Sequence, residues 1–184
     1  MSVPLKTSVG VFCGASNDVA EHWLETASNL GRLIAQHRLK LVYGGGRVGL
    51  MGRVADGCLE AGGEVVGVIT EKLMQIEVAH ENLNSLEITA DMSTRRNHMI
   101  ERSDVFIVLP GGVGTLDELF EVLALTDLDY HSKKIGLLNS LGYYDHMLSF
   151  LERASSEGFI SRDCLSSMVV ESEPEKLLKA LIPD

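Results

Sequence analysis

The sequence predicts a Rossmann-like, doubly wound α/β fold with a parallel sheet, and three observations carry that prediction. Short apolar runs alternate with stretches of helical periodicity along the whole chain. The runs are continuous rather than alternating, as in strands buried on both faces of a sheet. Glycine-bearing turns follow the first, second and fifth runs, at junctions between strand and helix where open α/β sheets bind ligands. No linker or repeat interrupts the 184 residues, so residues 1–184 are read as one domain, long enough to bury a sizeable core.

Residues 8–13 read as the first strand, and Gly14-Ala15-Ser16-Asn17-Asp18 as its loop. Val19, Trp23, Ala27, Leu30 and Ile34 trace one helix face. Residues 40–43 form a second strand, Gly44-Gly45-Gly46 its turn, and residues 48–61 a helix. A third strand covers 64–69. Residues 71–84 read as a loop with a helical turn, followed by a fourth strand at 86–89 and a helix at 92–102 carrying Arg95 and Arg96. The fifth strand, 104–109, runs into Pro110-Gly111-Gly112-Val113-Gly114-Thr115-Leu116-Asp117-Glu118, where Leu116, Leu119, Phe120 and Leu123 set a helical period. A sixth strand at 134–138, a helix around Tyr144, Met147, Leu148 and Leu151 that Gly158 ends, a short strand at 168–170 and a helix from Pro174 complete the chain.

Composition excludes several classes. A net charge of -10 argues against general nucleic-acid or membrane-surface binding, since both need basic patches. No apolar run is long enough to span a bilayer, and residues 1–7 lack the apolar core of a signal peptide. Cys13, Cys58 and Cys164 form neither a disulfide framework nor a zinc pattern, which points to the cytoplasm. His22, His37, His80, His131 and His146 show no ligand spacing, so no metal and no cofactor is expected. His98 reads as a surface or interface histidine.

The turn after the fifth strand carries the chemistry. Glycine lets a backbone approach an anion, and the free N–H groups of a helix start point at it, so a phosphate is the expected guest. The same stretch has a plainer reading: Thr115 with Glu118 three residues on spells a capping box, and Asp117 and Glu118 suit the positive end of a helix. A cap does not need three glycines in four positions, nor two carboxylates beside a phosphate. The Gly44 turn comes close to G-x-G-x-x-G but no acidic residue ends the next strand, and nothing matches G-x-x-x-x-G-K-[ST]. Dinucleotides and triphosphates are poor candidates; close helix–strand packing explains the Gly44 turn as well as ligand binding does.

Pro110-Gly111-Gly112-Val113-Gly114-Thr115-Leu116-Asp117-Glu118 matches P-G-G-x-G-T-x-x-E, and Met92-Ser93-Thr94-Arg95-Arg96-Asn97-His98-Met99 resembles M-x-x-R-K-x-x-M. The pair resembles the Lonely guy family, cytokinin riboside 5′-monophosphate phosphoribohydrolases whose members were often labelled lysine decarboxylases. The similarity extends to the Cys13-Gly14 turn, Tyr43-Gly44-Gly45-Gly46 and Gly142-Tyr143-Tyr144-Asp145. It implies hydrolysis of the N-glycosidic bond of an adenosine 5′-monophosphate, plain or N6-modified, to free base and ribose 5-phosphate. It places the catalytic pair on Arg95 and Glu118, and the phosphate loop on Gly111, Gly112, Gly114 and Thr115, with Val113 among the substrate contacts. Substrate contacts fall on Glu77, Arg96, Asp117, Gly14 and Gly45, and the assembly is a homodimer with sites near the interface. Arg96 stands where the motif has Lys, Val113 where Tyr is common and Asp117 where Glu is common. The T-W-x-Q-L-G that shapes the base pocket reads Ala124-Leu125-Thr126-Asp127-Leu128-Asp129, which leaves the base open.

Glycosidic cleavage passes through an oxocarbenium-like sugar, which a carboxylate such as Glu118 stabilises. Arg95 by position alone reads as a surface arginine; the matched motif gives it a role. Two other functions are weighed. A non-catalytic nucleotide carrier would use the same turns without needing Arg95 and Glu118 together. A pyridoxal-phosphate decarboxylase would need a Schiff-base lysine near the phosphate cup, and no lysine sits in a glycine turn. Finally, Tyr144, Met147 and Leu151 present an apolar helix face with no evident cover in the chain, which a dimer would bury.

Overall fold

The computed structural model describes residues 7–76 and 78–182. Seven parallel strands form one sheet in the order β4-β3-β2-β1-β5-β6-β7. The strands are β1 Ser8–Phe12, β2 Lys40–Tyr43, β3 Glu64–Thr70, β4 Ser85–Thr89, β5 Val105–Val108, β6 Ile135–Leu138 and β7 Met168–Glu171. The helices are α1 Glu21–Gln36, α2 Gly49–Glu60, α3 Glu71–Ile76, α4 Met92–Glu101, α5 Val113–Asp127, α6 Asp145–Ser156, α7 Arg162–Ser166 and α8 Pro174–Leu181. Every strand read from the sequence is present. The short helix α7 has no counterpart in the sequence reading, because five residues are too few to show a period.

The continuous apolar runs divide by pleat into two cores. Val9, Val11, Leu41, Tyr43, Val65 and Ile107 face one side and pack with α1, α2 and α8. Phe12, Val42, Val66, Val68, Phe106 and Val108 face the other and pack with residues of α4, α5, α6 and α7. β1 pairs with β2 on one side and β5 on the other, so the winding reverses beside β1. At that point the β1 and β5 turns part to opposite faces and leave a crevice at the carboxyl edge of the sheet. The two turns touch there: the Gly14 N–H donates to the Pro110 carbonyl at 3.1 Å.

The apolar face expected on α6 is not free. Tyr144 is 3% exposed and Leu151 2%, and Tyr144 belongs to the second core with Met147 packed against it. The Tyr144 hydroxyl donates to the Leu109 carbonyl at 2.7 Å, tying the start of α6 to the end of β5. Burial pushes the Tyr144 phenol far above its ordinary value. A phenol raised in the folded state gives stability that is complete below its unfolded value and is lost as pH rises past it. The stability of the wild type should therefore fall above about pH 10, with a slope approaching about 1.4 kcal/mol per pH unit. Tyr144→Phe should flatten that slope and cost about 1 kcal/mol at neutral pH; urea titrations of both proteins across pH 7–11 check it.

Candidate active site

The crevice between the β1 and β5 turns holds a cleft of about 670 Å³. Gly14, Gly111, Gly112, Gly114, Thr115, Asp117, Glu118 and Arg95 all line it. Its floor is formed by two glycine turns that approach each other closely. A Cβ on Gly111 would run into the Thr115 hydroxyl, and one on Gly14 would lie 3.3 Å from the Gly111 Cα. Helix α5 begins at Val113 with Gly112 as its N-cap, so its first-turn N–H groups have no carbonyl within the helix, and Gly112, Gly114 and Thr115 of that start line the cleft.

The capping box is not formed. Gly112 caps α5 without a side-chain bond, and no acidic residue lies in the first turn. Glu118 sits one turn further in and turns to Arg95: Nη1 of Arg95 donates to its Oε1 at 3.3 Å. The Glu118 side chain is 12% exposed.

Arg95 is not a surface arginine. It is 4% exposed, and a buried guanidinium must be paired and hydrogen-bonded. Nε donates to the Val68 carbonyl at 2.9 Å, Nη2 to the Gly44 carbonyl at 3.3 Å and Nη1 to Glu118. Three elements thus hold one side chain: β3, the turn after β2 and the helix after β5. A Cβ at Gly44 would run into the guanidinium, so the glycine is there to admit the arginine. The helix α4 that presents Arg95 is capped by Asp91, whose carboxylate accepts the Thr94 N–H at 2.8 Å. That bond holds the Asp91 carboxyl below the usual carboxylate range.

Other expected site residues are placed apart from the cleft. Gly45 has φ +76° and packs against Ile69 and Leu86, the close-packing role of this turn. Val113 is 86% exposed and Arg96 pairs with Asp117 at 3.0 Å and Glu121 at 2.5 Å; neither lines the cleft. Asp117 is split between the cleft rim and Arg96. Glu77 lies outside the described residues. His98 is a half-exposed residue whose Nδ1 is 3.4 Å from Glu87.

The sequence reading missed one wall entirely. Val19, Ala20, Trp23, Leu50, Met51, Leu73 and Met92 line the cleft, so it is largely apolar apart from its glycine floor and charged pair. Tyr143 joins them: its hydroxyl donates to the Gly111 carbonyl at 2.8 Å and its ring meets Trp23 edge-on at 5.6 Å. These residues come from five separate segments, and their helical spacing reads as core. Among the described residues no lysine lines the cleft, and no group of three or more His, Cys, Asp or Glu is placed to hold a metal ion.

The fold and cleft define a Rossmann-like α/β protein with a glycine phosphate-type turn and a buried arginine–glutamate pair at its switch point. Comparison with known proteins gives the family. Residues 51–181 match the family described as "Possible lysine decarboxylase". A cytokinin riboside 5′-monophosphate phosphoribohydrolase of Rhodococcoides fascians is 45% identical over 179 residues, 97% of this chain and 90% of that protein. One of Arabidopsis thaliana is 46% identical over 152 residues, 83% of this chain and 67% of that protein. This chain belongs to the cytokinin riboside 5′-monophosphate phosphoribohydrolase family. Among solved structures, the molybdenum cofactor carrier protein of Chlamydomonas reinhardtii has a TM-score of 0.72 at 24% identity, covering 96% of this chain and 95% of that one. The molybdenum cofactor binding protein of Rippkaea orientalis scores 0.73 at 24% identity, with 97% and 96% covered. At that identity the likeness is one of fold.

Proposed function

We propose that this protein hydrolyses the N-glycosidic bond of cytokinin-type and related adenosine 5′-monophosphates, releasing the base and ribose 5-phosphate. The single observation that carries the reading is the Arg95–Glu118 pair in the cleft beside the glycine turn. The phosphate is received by the N–H groups at the start of α5, over Gly111, Gly112 and Gly114. The ribose then lies over Glu118, one helical turn from the phosphate. As the C1′–N bond breaks, its electron pair leaves with the base and positive charge grows at C1′. The Glu118 carboxylate stabilises that charge and water adds to C1′, giving up a proton as the base takes one. Arg95 fixes the carboxylate in place. The apolar wall of Leu50, Met51, Leu73 and Met92 suits an apolar N6 substituent on the base, and plain adenine in AMP is the smaller substrate of the same kind.

Two further points belong to the proposal. We place the protein in the cytoplasm; among the described residues its three cysteines are buried and joined by no disulfide, which suits a reducing compartment. Among the described residues no helix is long and apolar enough to cross a membrane. We also propose a homodimer. The support is a row of exposed residues on α5 and just beyond it, Val113, Phe120, Ala124 and Leu128, on the helix that carries Glu118.

Three outcomes are expected. Base release measured by chromatography should be far faster for AMP than for adenosine; equal kcat/KM would remove the phosphate from the reading. Glu118→Gln keeps an acceptor for Arg95 but not the charge, so kcat should fall by roughly a hundredfold or more while the fold persists. Stability should drop by about 1–3 kcal/mol, because a buried guanidinium loses its counter-charge. A folded Glu118→Gln variant that binds nucleotide and turns over like wild type would return the protein to the carrier reading. Light scattering at micromolar concentration should give twice the chain mass; a monomer would count against the dimer.

A further inference from the structure

We propose that His80 is a positioning residue for the Arg95–Glu118 pair, acting with Asp56 through the Gly44–Gly46 turn. The proposal rests on the catalytic reading of that pair. His80 lies between α3 and β4 and is 4% exposed, although nothing in the reaction uses it. Its Nδ1 accepts the Asn82 N–H at 3.2 Å, so the ring proton lies on Nε2 and is donated to Asp56 Oδ1 at 3.0 Å. Asp56 belongs to α2, and its side chain is 52% exposed. The ring therefore joins a loop to a helix of the fixed frame.

The backbone on either side of His80 is bound to the glycine turn. The His80 N–H donates to the Gly45 carbonyl at 3.0 Å, and the Arg47 N–H donates to the Val78 carbonyl at 2.9 Å. Gly46 and Ala79 form an antiparallel bridge between those two bonds. The Tyr43 hydroxyl holds the same turn from below, donating to the Gly46 carbonyl at 3.1 Å. Residues 78–80 are a strap laid across the turn. Val78 is a branched residue at φ +51°, a conformation such residues avoid and keep only where their surroundings fix it. Here the surroundings are these bonds and the His80–Asp56 link.

The strap touches the turn whose Gly44 carbonyl accepts Arg95 Nη2. Among the described residues no backbone hydrogen bond joins it to the turn of Gly111 to Thr115. Loosening it should shift Gly44 and with it the guanidinium that aims Glu118, and should leave the phosphate seat intact. A histidine that only filled space would not separate these two effects.

The test uses Asp56→Ala, His80→Phe and His80→Gln in the whole protein, with AMP as substrate and ribose 5-phosphate as a competing ligand of the phosphate seat. Asp56→Ala and His80→Phe should lower kcat by about tenfold to a hundredfold, the size expected when a reacting group is misplaced. Inhibition by ribose 5-phosphate should stay within about twofold of wild type, since its binding does not draw on the strap. His80→Gln carries an amide N–H that reaches Asp56 and should recover most of the lost kcat. If His80→Phe fails to melt cooperatively, Asp56→Ala decides alone, because its half-exposed side chain leaves no cavity. Wild-type kcat in folded Asp56→Ala overturns the proposal, and so does a parallel loss of kcat and of ribose 5-phosphate inhibition. Glu118→Gln run alongside separates the two readings: full turnover there overturns the catalytic pair itself, whereas an inactive Glu118→Gln beside a fully active Asp56→Ala overturns only the positioning role.

Discussion

The buried charge of Arg95 is the constraint on which the carboxyl edge of this sheet depends. Removing a guanidinium from water costs on the order of several kcal/mol unless it is paired and its donors are satisfied. Here the compensation comes from the Val68 carbonyl at the end of β3, the Gly44 carbonyl after β2 and the Glu118 carboxylate on α5. These partners lie far apart in the chain, and only the finished sheet brings them together. The arginine in turn ties the β2 turn to α5, and it lines the cleft as well.

The strand order explains why the cleft lies where it does. The winding reverses beside β1, so the β1 and β5 turns meet through the Gly14–Pro110 bond while their helices go to opposite faces. Gly14 and Gly111 let the two backbones touch without side chains between them. Tyr143 and Tyr144 close the other side, with hydroxyls on the carbonyls of Gly111 and Leu109. The glycine turn after β5 is therefore held from both sides through its backbone carbonyls.

A protein named as a molybdenum cofactor carrier and one named as a molybdenum cofactor binding protein share this fold, and a fold does not by itself fix a function. What distinguishes this chain's cleft is local: a carboxylate paired with a buried cation on the helix that follows the glycine turn, beneath a largely apolar wall.

The sequence by itself determined the strand and helix pattern, the parallel sheet and the glycine turn after β5, because apolar periodicity and glycine act locally. It also determined the family, through residues 92–99 and 110–118. Local logic misled at Thr115 and Glu118, where the spacing of a capping box is met but Gly112 caps the helix and Glu118 is drawn to Arg95. It misled again at Arg95, since burial is a property of packing and not of residue type, and at Tyr144 and Leu151, which the finished fold buries. Only the tertiary structure decided that Gly44 rather than Gly45 serves the arginine, and that Trp23, Met51 and Tyr143 share a wall with Met92. Those contacts cross dozens of residues of chain, and no spacing along a sequence encodes them; the sheet order does.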